Sequence, residues 1–210
     1  MSKRLSSFIA IVIAFVSVGL SPAYAVDQRV IDVVEVTWPG AVAPAGDVNA
    51  VAKVIDKEAK VDMTTSQDKA KAVALAYVKK NYPQLPSVDP KLITLDVKDT
   101  GGPSGGMIFT LGVIEELTPD DLLRGRKVAG TGTIDTSGKV GPIGGIDEKL
   151  IAAERAGVTV FLSPLANCRE ITSVPSTITV YAIRTIDDAV KALSANSSPE
   201  KLGMTCAIRA

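Results

Sequence analysis

A glycine-rich loop with a single serine, residues 100–111 (TGGPSGGMIFTL), constrains this chain more than any other stretch. The glycines on both sides of Ser104 allow backbone conformations and close approaches that a Cβ would block. The apolar run at residues 107–117 predicts a helix that begins just past the serine. A hydroxyl would then lie beside a helix N-terminus, where free N–H groups can receive an oxyanion. Clusters of this kind are usually turns, so the loop alone indicates catalysis only weakly.

The composition limits the classes of protein to which the chain can belong. Of its 210 residues, 46% are hydrophobic and 22% are charged, which is typical of one globular domain with a substantial core. The formal net charge is zero and no basic patch is interleaved with aromatic residues, so we expect no nucleic-acid partner. Histidine is absent, which excludes Ser-His-Asp catalysis, Cys-His catalysis and the usual zinc sites. Any hydrolase built on this sequence must use another base, and we expect neither a metal nor a cofactor.

The first 25 residues have the three parts of a secretory signal peptide. Lys3 and Arg4 precede an apolar run at residues 8–20, and the segment ends in Ala23-Tyr24-Ala25. We expect cleavage after Ala25, because the run is shorter than the ~20 residues of a membrane span. An uncleaved membrane anchor is the alternative. The mature chain is then expected to be soluble and to lie outside the cytoplasm, either secreted or in the cell envelope or periplasm.

Hydrophobic patterns predict strands and helices in mixed order. Strands are predicted at residues 30–38, 48–55, 59–63, 92–97, 127–133, 139–143, 158–162 and 177–183. Helices are predicted at residues 66–82, with Ser66 as N-cap, and at residues 107–117, 146–156 and 186–195. Residues 135–138 have the composition of a hairpin turn, and the chain from residue 196 onward is predicted to be loop.

A lysine on an apolar helix face is the second candidate for catalysis. In the helix predicted at residues 146–156, Lys149 falls within the arc that Ile146 and Ala153 share. The lysine either extends along the core to water or is buried. Burial would lower its pKa from ~10.4 to about 7–8, because a buried ammonium loses hydration. A neutral lysine can take the proton of a serine hydroxyl.

Together these stretches resemble the proteolytic domain of Lon proteases, peptidase family S16. Gly102-Pro103-Ser104 is followed 45 positions later by Lys149, which lies within the sequence PIGGIDEK. Thr131-Gly132, the sequence AAERAG after the lysine and the sequence VFLSPLAN at residues 160–167 continue the resemblance. It is strong at residues 100–167 and weaker at residues 30–97.

The resemblance implies an α+β fold of the Lon proteolytic-domain type (ribosomal protein S5 domain 2-like), with helices packed on mixed sheets. It also implies a serine endopeptidase in which Ser104 is the nucleophile and Lys149 is the general base. Thr131 corresponds to a threonine thought to orient the lysine. The backbone N–H of Ser104 is expected to help form the oxyanion hole, with Gly102 and Gly105 as supporting residues. By the same resemblance the chain is expected to form a homo-oligomer, often a ring of six, with a monomer as the alternative.

The chain departs from the Lon pattern in two respects. Gly101 stands where the family commonly has an acidic residue, and Gly105 stands where it commonly has alanine. The lost carboxylate bears on how the serine loop switches between closed and active forms. In addition, no GxxxxGK[ST] motif occurs in the 210 residues, so we expect no nucleotide and no ATP-driven unfolding. The expected substrate is an exported polypeptide that is already unfolded or flexible.

Two other functions stay open on the sequence alone. A Lon-like domain can bind unfolded peptide segments without cutting them, and Gly101 is the best support for that alternative. The glycine loop can also be read as a phosphate cradle at a helix N-terminus, as in small-molecule kinases of a related fold. That reading requires metal-binding carboxylates nearby and a cytosolic supply of nucleotide, which the signal peptide disfavours.

The chain has two cysteines, Cys168 and Cys206. In an exported protein, pairing is the default expectation. A disulfide would tie the C-terminal tail, residues 196–210, to the domain at residues 26–195, near the loop after the lysine helix. The alternative of a reactive thiol has no histidine to support it.

Overall fold

A computed structural model describes residues 11–14, 30–37, 48–51, 57–96 and 102–206, with side chains described at 64–95 and 102–206. The strands are β1 (Ile11–Ala14), β2 (Val30–Thr37), β3 (Val48–Val51), β4 (Thr94–Asp96), β5 (Val128–Gly130), β6 (Thr133–Ile134), β7 (Val140–Gly141), β8 (Val160–Pro164) and β9 (Thr179–Ile183). The α-helices are α1 (Lys57–Asn81), α2 (Gly106–Leu117), α3 (Ile146–Arg155), α4 (Ile186–Ser194) and α5 (Pro199–Leu202). Within these described residues, no helix is both long and apolar enough to cross a membrane.

The strands form a mixed sheet, a parallel sheet and a hairpin. The mixed sheet has the order β1-β3-β2-β4, in which β1 and β3 are parallel and β2 is antiparallel to both of its neighbours. The parallel sheet has the order β5-β8-β9. Every residue of β8 is buried, as expected for the central strand of a parallel sheet that is covered on both faces. Strands β6 and β7 form the antiparallel hairpin.

Helix α2 lies at the centre of the larger core cluster. Its residues from Gly106 to Ile114 are all buried, so this helix is apolar on every side and has no solvated face in its first half. A second cluster surrounds α3 and includes Leu150, Phe161 and Cys168. The helix that follows the serine loop and the helix that carries Lys149 therefore belong to two different hydrophobic core clusters.

The α+β class is confirmed, and most of the predicted elements in the described residues are present. The helices predicted at residues 107–117, 146–156 and 186–195 correspond to α2, α3 and α4, and the turn at residues 135–138 joins β6 to β7. In that turn, one carboxylate oxygen of Asp135 accepts hydrogen bonds from the N–H groups of Ser137 and Lys139. The strand predicted at residues 48–55 is present as Val48–Val51, and residues 52–56 lie outside the described part of the chain.

Three predictions were wrong. Residues 59–63 belong to α1 and not to a strand, since a short apolar run does not distinguish the two and the neighbouring Lys, Glu and Ala residues favour a helix. Ser66 is consequently inside α1 and does not cap it. The C-terminal segment contains the short helix α5, which begins with Pro199 and ends at Gly203 in the left-handed conformation.

Strand β1 lies inside the predicted signal peptide. It pairs with β3 through Ile11 to Ala14. A mature chain cleaved after Ala25 would lack this strand, and cleavage itself stays a prediction.

Candidate active site

Ser104 lies in a single 3-10 turn, Pro103–Gly105, which runs directly into α2. Gly102 precedes the turn with φ of 87° and ψ of 165°, a conformation that a residue with a Cβ rarely adopts. The fixed φ of Pro103 suits the first position of a helical turn. The sequence Gly-Pro-Ser therefore reverses the chain and sets the serine hydroxyl at the helix N-terminus. Only 7% of Ser104 is exposed.

Gly106, the first residue of α2, lets the serine loop pack closely against the hairpin. A Cβ on Gly106 would lie 2.8 Å from Cγ2 of Ile134 and 2.9 Å from its backbone nitrogen. The hydroxyl of Ser66, on α1, donates a hydrogen bond to the carbonyl of Pro103 at 3.2 Å. Helix α1 and the hairpin thus hold the serine loop from two sides.

Backbone hydrogen bonds join the serine loop to the segment after β5. Gly132 N–H donates to the carbonyl of Ser104 at 2.7 Å, and Met107 N–H donates to the carbonyl of Gly132 at 3.0 Å. Thr131 N–H donates to the carbonyl of Leu162 in β8. The serine is therefore positioned by the parallel sheet as well as by its own helix.

Lys149 approaches the serine from α3. This helix follows Gly145, which is in the left-handed conformation, and it carries Asp147 and Glu148 in its first turn, where acidic residues favour the helix dipole. It ends before Gly157, whose φ is 72°. Lys149 occupies the buried face and is 1% exposed, so the alternative of a lysine that extends to water is wrong.

The lysine contacts two hydroxyl groups. Its Nζ is 3.5 Å from Oγ of Ser104 and 3.4 Å from Oγ1 of Thr131. Thr131 is fully buried, and its hydroxyl donates to the carbonyl of Ser104 at 3.2 Å. The structure therefore brings Ser104, Lys149 and Thr131 into one cluster.

Burial lowers the pKa of Lys149 to about 7, and the nearby carboxylate of Glu148 opposes this shift. The cause is the loss of hydration, which penalises the ammonium and not the neutral amine. A substantial fraction of the lysine is therefore neutral near pH 7. A neutral amine beside a serine hydroxyl is able to accept its proton.

Asn167 holds the segment that leads into the lysine helix. Its side-chain oxygen accepts the N–H of Ile143 at 3.0 Å, and its side-chain nitrogen donates to the Ile143 carbonyl at 2.8 Å. The same nitrogen donates to the carboxylate of Glu170. Asn167 is fully buried, so both of its polar groups are satisfied without water.

The predicted pairing of the cysteines is present in the structure. Cys168 and Cys206 form a disulfide with their Cα atoms 4.9 Å apart. Cys168 directly follows Asn167 and belongs to the core cluster around α3. The tail is also held by the N–H of Ala182, which donates to the carbonyl of Met204. The C-terminal segment is thereby attached to the core cluster around α3, the helix that carries Lys149.

An open groove of about 560 Å³ lies beside the serine loop. One wall belongs to α1 and includes Ser66 and Lys69, and the other belongs to the hairpin and includes Asp135 and Lys139. Pro103, the residue before the serine, contributes to the lining. Ser104 itself is not part of this lining, so Pro103 is the residue of the serine loop that reaches the groove.

The comparison with known proteins agrees with this geometry. Residues 68–195 match the family described as Lon protease (S16) C-terminal proteolytic domain. The chain therefore belongs to the Lon proteolytic-domain family, as the sequence motifs predicted.

Several Lon proteases are similar in sequence. The chain is 34% identical over 164 residues to Lon protease 2 of Herpetosiphon aurantiacus, covering 69% of this chain and 20% of that protein. It is 35% identical over 106 residues to Lon protease 1 of Myxococcus xanthus, covering 49% of this chain and 13% of that protein. It is 45% identical over 74 residues to the Lon protease of Roseiflexus castenholzii, covering 35% of this chain and 9% of that protein. The chain thus spans a fifth or less of the length of these relatives.

The supporting residues predicted from the sequence have different positions. Gly102 has the positive φ that the loop requires, whereas Gly105 is buried in an ordinary right-handed helical conformation that other residues also adopt. Gly101 lies outside the described residues. Two contacts were missed: Ser66 reaches the serine loop, and Asn167 fixes the approach to α3. Asn167 is the last residue of VFLSPLAN, a sequence that resembles the Lon family, and this resemblance could have indicated its importance. No local pattern indicated that Ser66 would contact the serine loop.

Proposed function

We propose that this protein is an ATP-independent serine endopeptidase, with Ser104 as nucleophile and Lys149 as general base. The observation that carries the proposal is the contact of 3.5 Å between Nζ of a buried lysine and Oγ of a serine at a helix N-terminus. Membership of a family of proteolytic domains supports peptide-bond hydrolysis as the reaction. The pKa of about 7 for Lys149 supports a base that works without histidine.

In the proposed reaction, Oγ of Ser104 attacks the carbonyl carbon of the substrate while its proton passes to neutral Lys149. The tetrahedral intermediate then collapses, the C–N bond breaks, and Lys149 returns the proton to the leaving amine. The resulting acyl-enzyme is attacked by water, which gives its proton to Lys149. Collapse of the second intermediate protonates Oγ again and releases the new carboxyl group. The contact of 3.5 Å must shorten on substrate binding for the first proton transfer.

The developing oxyanion is proposed to lie against the backbone at the start of α2. The first N–H groups of a helix lack partners within the helix, and the helix dipole favours negative charge there. The N–H of Ser104 is the donor that we assign. The constraint on Gly102 supports this assignment, because it fixes the direction of the peptide groups that follow it.

Unfolded or flexible exported polypeptides are the proposed substrates. The groove beside Pro103 is open and is lined by residues of α1 and the hairpin, which leaves room for an extended segment. Export is supported by the disulfide between Cys168 and Cys206, since disulfides persist in oxidising compartments. We expect hydrolysis to need no nucleotide.

The test uses the full chain, produced in a host that exports it so that any cleavage of the signal peptide can occur, and an unfolded, casein-like protein as substrate, with no nucleotide added. We expect cleavage by the wild type and a loss of at least about 10³-fold in Ser104→Ala and in Lys149→Met, since both groups act in the same step. Methionine keeps most of the lysine volume and lacks the amine. Lys79→Gln, on the exposed end of α1, is the matched control and should cleave like the wild type.

Equal cleavage by the wild type and Ser104→Ala would contradict the proposal. Binding of the unfolded substrate by an inactive wild type would instead favour a domain that holds peptide segments without cutting them. Circular dichroism of all variants establishes that any loss reflects chemistry and not unfolding.

A further inference from the structure

The walls of the groove beside the serine loop carry positive charge on both sides. Lys69 lies on α1, and Lys139 lies in the hairpin, directly before β7. Both lysines are exposed, so their ammonium groups are free to move toward a bound chain. Pro103, Ile134 and Pro142 supply apolar surface in the same lining.

The carboxylate of Asp135 also lines the groove, and its hydrogen bonds lie within the hairpin. Its Oδ1 accepts the N–H of Ser137 at 2.8 Å, the hydroxyl of Ser137 at 2.6 Å and the N–H of Lys139 at 3.0 Å. These bonds lower the pKa of Asp135, which keeps it ionised. Among the described residues, the lining has two ammonium groups and one carboxylate, an excess of one positive charge.

From these observations we propose that the groove selects peptide segments bearing an aspartate or glutamate side chain close to the bond presented to Ser104. Lys69 and Lys139 are the specificity-determining residues, and the apolar lining holds the neighbouring part of the chain. This inference rests on the proposed function, because it takes the groove as the binding site of the substrate. It adds a preference that neither the serine nor the lysine of the reactive pair explains.

The charge arrangement favours one class of side chain over the others. An acidic side chain is attracted by Lys69 and Lys139 and repelled by Asp135, with a net gain, whereas a lysine or arginine meets a net repulsion. A neutral isostere such as glutamine keeps the shape and loses the attraction. Because exposed ion pairs are individually weak and screened by salt, the preference is expected to be moderate and to decrease as salt is added.

The first experiment measures binding in the Ser104→Ala background, so that cleavage does not interfere. The probes are acetylated and amidated unstructured peptides that are identical apart from one Glu, Gln or Lys, moved through each position in turn. At one or two positions, we expect the Glu peptide to bind about 3- to 10-fold more tightly than the Gln peptide at low salt. The double substitution Lys69→Gln with Lys139→Gln should reduce this ratio to within about twofold. Lys79→Gln, on the same helix as Lys69, should leave the ratio unchanged.

The second experiment measures kcat/KM for the same peptides with the wild type. The kcat/KM of the Glu peptide, divided by that of the Gln peptide, should match the ratio of their affinities. Equal affinity for Glu and Gln at every position overturns the inference, as does a Glu preference that survives the double substitution. If the wild type cleaves all of these peptides equally well, the acidic preference fails while the peptidase proposal stands. If Glu peptides bind selectively but are never cut, the preference stands and the peptidase proposal fails.

Discussion

Thr131 and Lys149 are joined through their side chains, with Oγ1 of the threonine 3.4 Å from Nζ of the lysine. The same hydroxyl donates to the carbonyl of Ser104, so its lone pairs are directed at the lysine. A neutral amine that donates one N–H to Thr131 can turn its own lone pair toward Oγ of Ser104. We therefore propose that Thr131 positions the amine of Lys149.

Replacement of Thr131 tests this positioning. We expect Thr131→Val, which keeps the shape and removes the hydroxyl, to lower kcat by about 10- to 100-fold with a smaller change in KM. Thr131→Ser restores the hydroxyl and should recover most of kcat. Steady-state kinetics of both variants provide the readout. A purely structural role would instead make the two variants lose activity in proportion to their loss of stability.

The buried Lys149 should lower the stability of the fold at neutral and acidic pH. Because its pKa falls from 10.5 to about 7 on folding, the unfolded chain binds more protons than the folded one in that window. Stability due to this group therefore rises as the pH increases from about 7 to 10.5. We expect Lys149→Met to stabilise the protein by ~5 kcal/mol at pH 6 and ~2 kcal/mol at pH 9. Urea unfolding at the two pH values measures the difference, and a gain that does not depend on pH would contradict the assignment.

Glu115, near the end of α2, should have the opposite pH dependence. Burial raises its pKa from 4.5 to about 7, although its carboxylate accepts the N–H of Leu122 at 3.0 Å. Between these two values the folded chain binds more protons, so the contribution of Glu115 to stability is lost as pH rises toward 7. Because Glu115 is only partly buried, we expect Glu115→Gln to stabilise the protein by about 1–2 kcal/mol at pH 8 and by little at pH 4.

The control for Glu115 is Glu154→Gln, an exposed position on α3. Unfolding free energies of this variant and of the wild type should coincide within about 0.5 kcal/mol at both pH values. Equal stabilisation by Glu115→Gln at pH 4 and pH 8 would show that the carboxyl does not titrate in the expected range.

The disulfide should stabilise the fold, and in particular the core cluster around α3, the helix that carries Lys149. It closes a separation of 38 residues, which corresponds to ~4 kcal/mol in the chain-entropy model. We expect the double substitution Cys168→Ser with Cys206→Ser to lower the unfolding free energy by about 2–4 kcal/mol. Reduction of the wild type should reproduce this loss, and the double variant should not respond to reductant. A loss much below about 1 kcal/mol would indicate that the tail is held mainly by other contacts.

Local signals were sufficient to single out Ser104 and Lys149 as candidates, and the resemblance to the Lon family was what paired them. The Gly-Pro-Ser sequence predicts a turn that leads into a helix, and the periodicity of residues 146–156 places Lys149 among apolar residues. The contact of Ser66 with Pro103 joins residues 37 positions apart, and that of Asn167 with Ile143 joins residues 24 apart. Such contacts depend on the packing of α1 and β8 against distant segments, which no local pattern encodes. The long helix α1 was missed at its start for the related reason that a short apolar run fits two periodicities.

The pH dependence of kcat/KM tests most directly whether Lys149 is the base that activates Ser104. Cleavage of one peptide should be followed from pH 5 to pH 10 in the wild type and in Thr131→Val. If Lys149 is the base, the wild-type rate should rise about tenfold per pH unit on the acid side and level off above pH ~7, the pKa of the buried lysine. In Thr131→Val the plateau should be lower. A wild-type rate that is flat across this range, or that levels off only near the ordinary lysine pKa of ~10.4, would contradict the account.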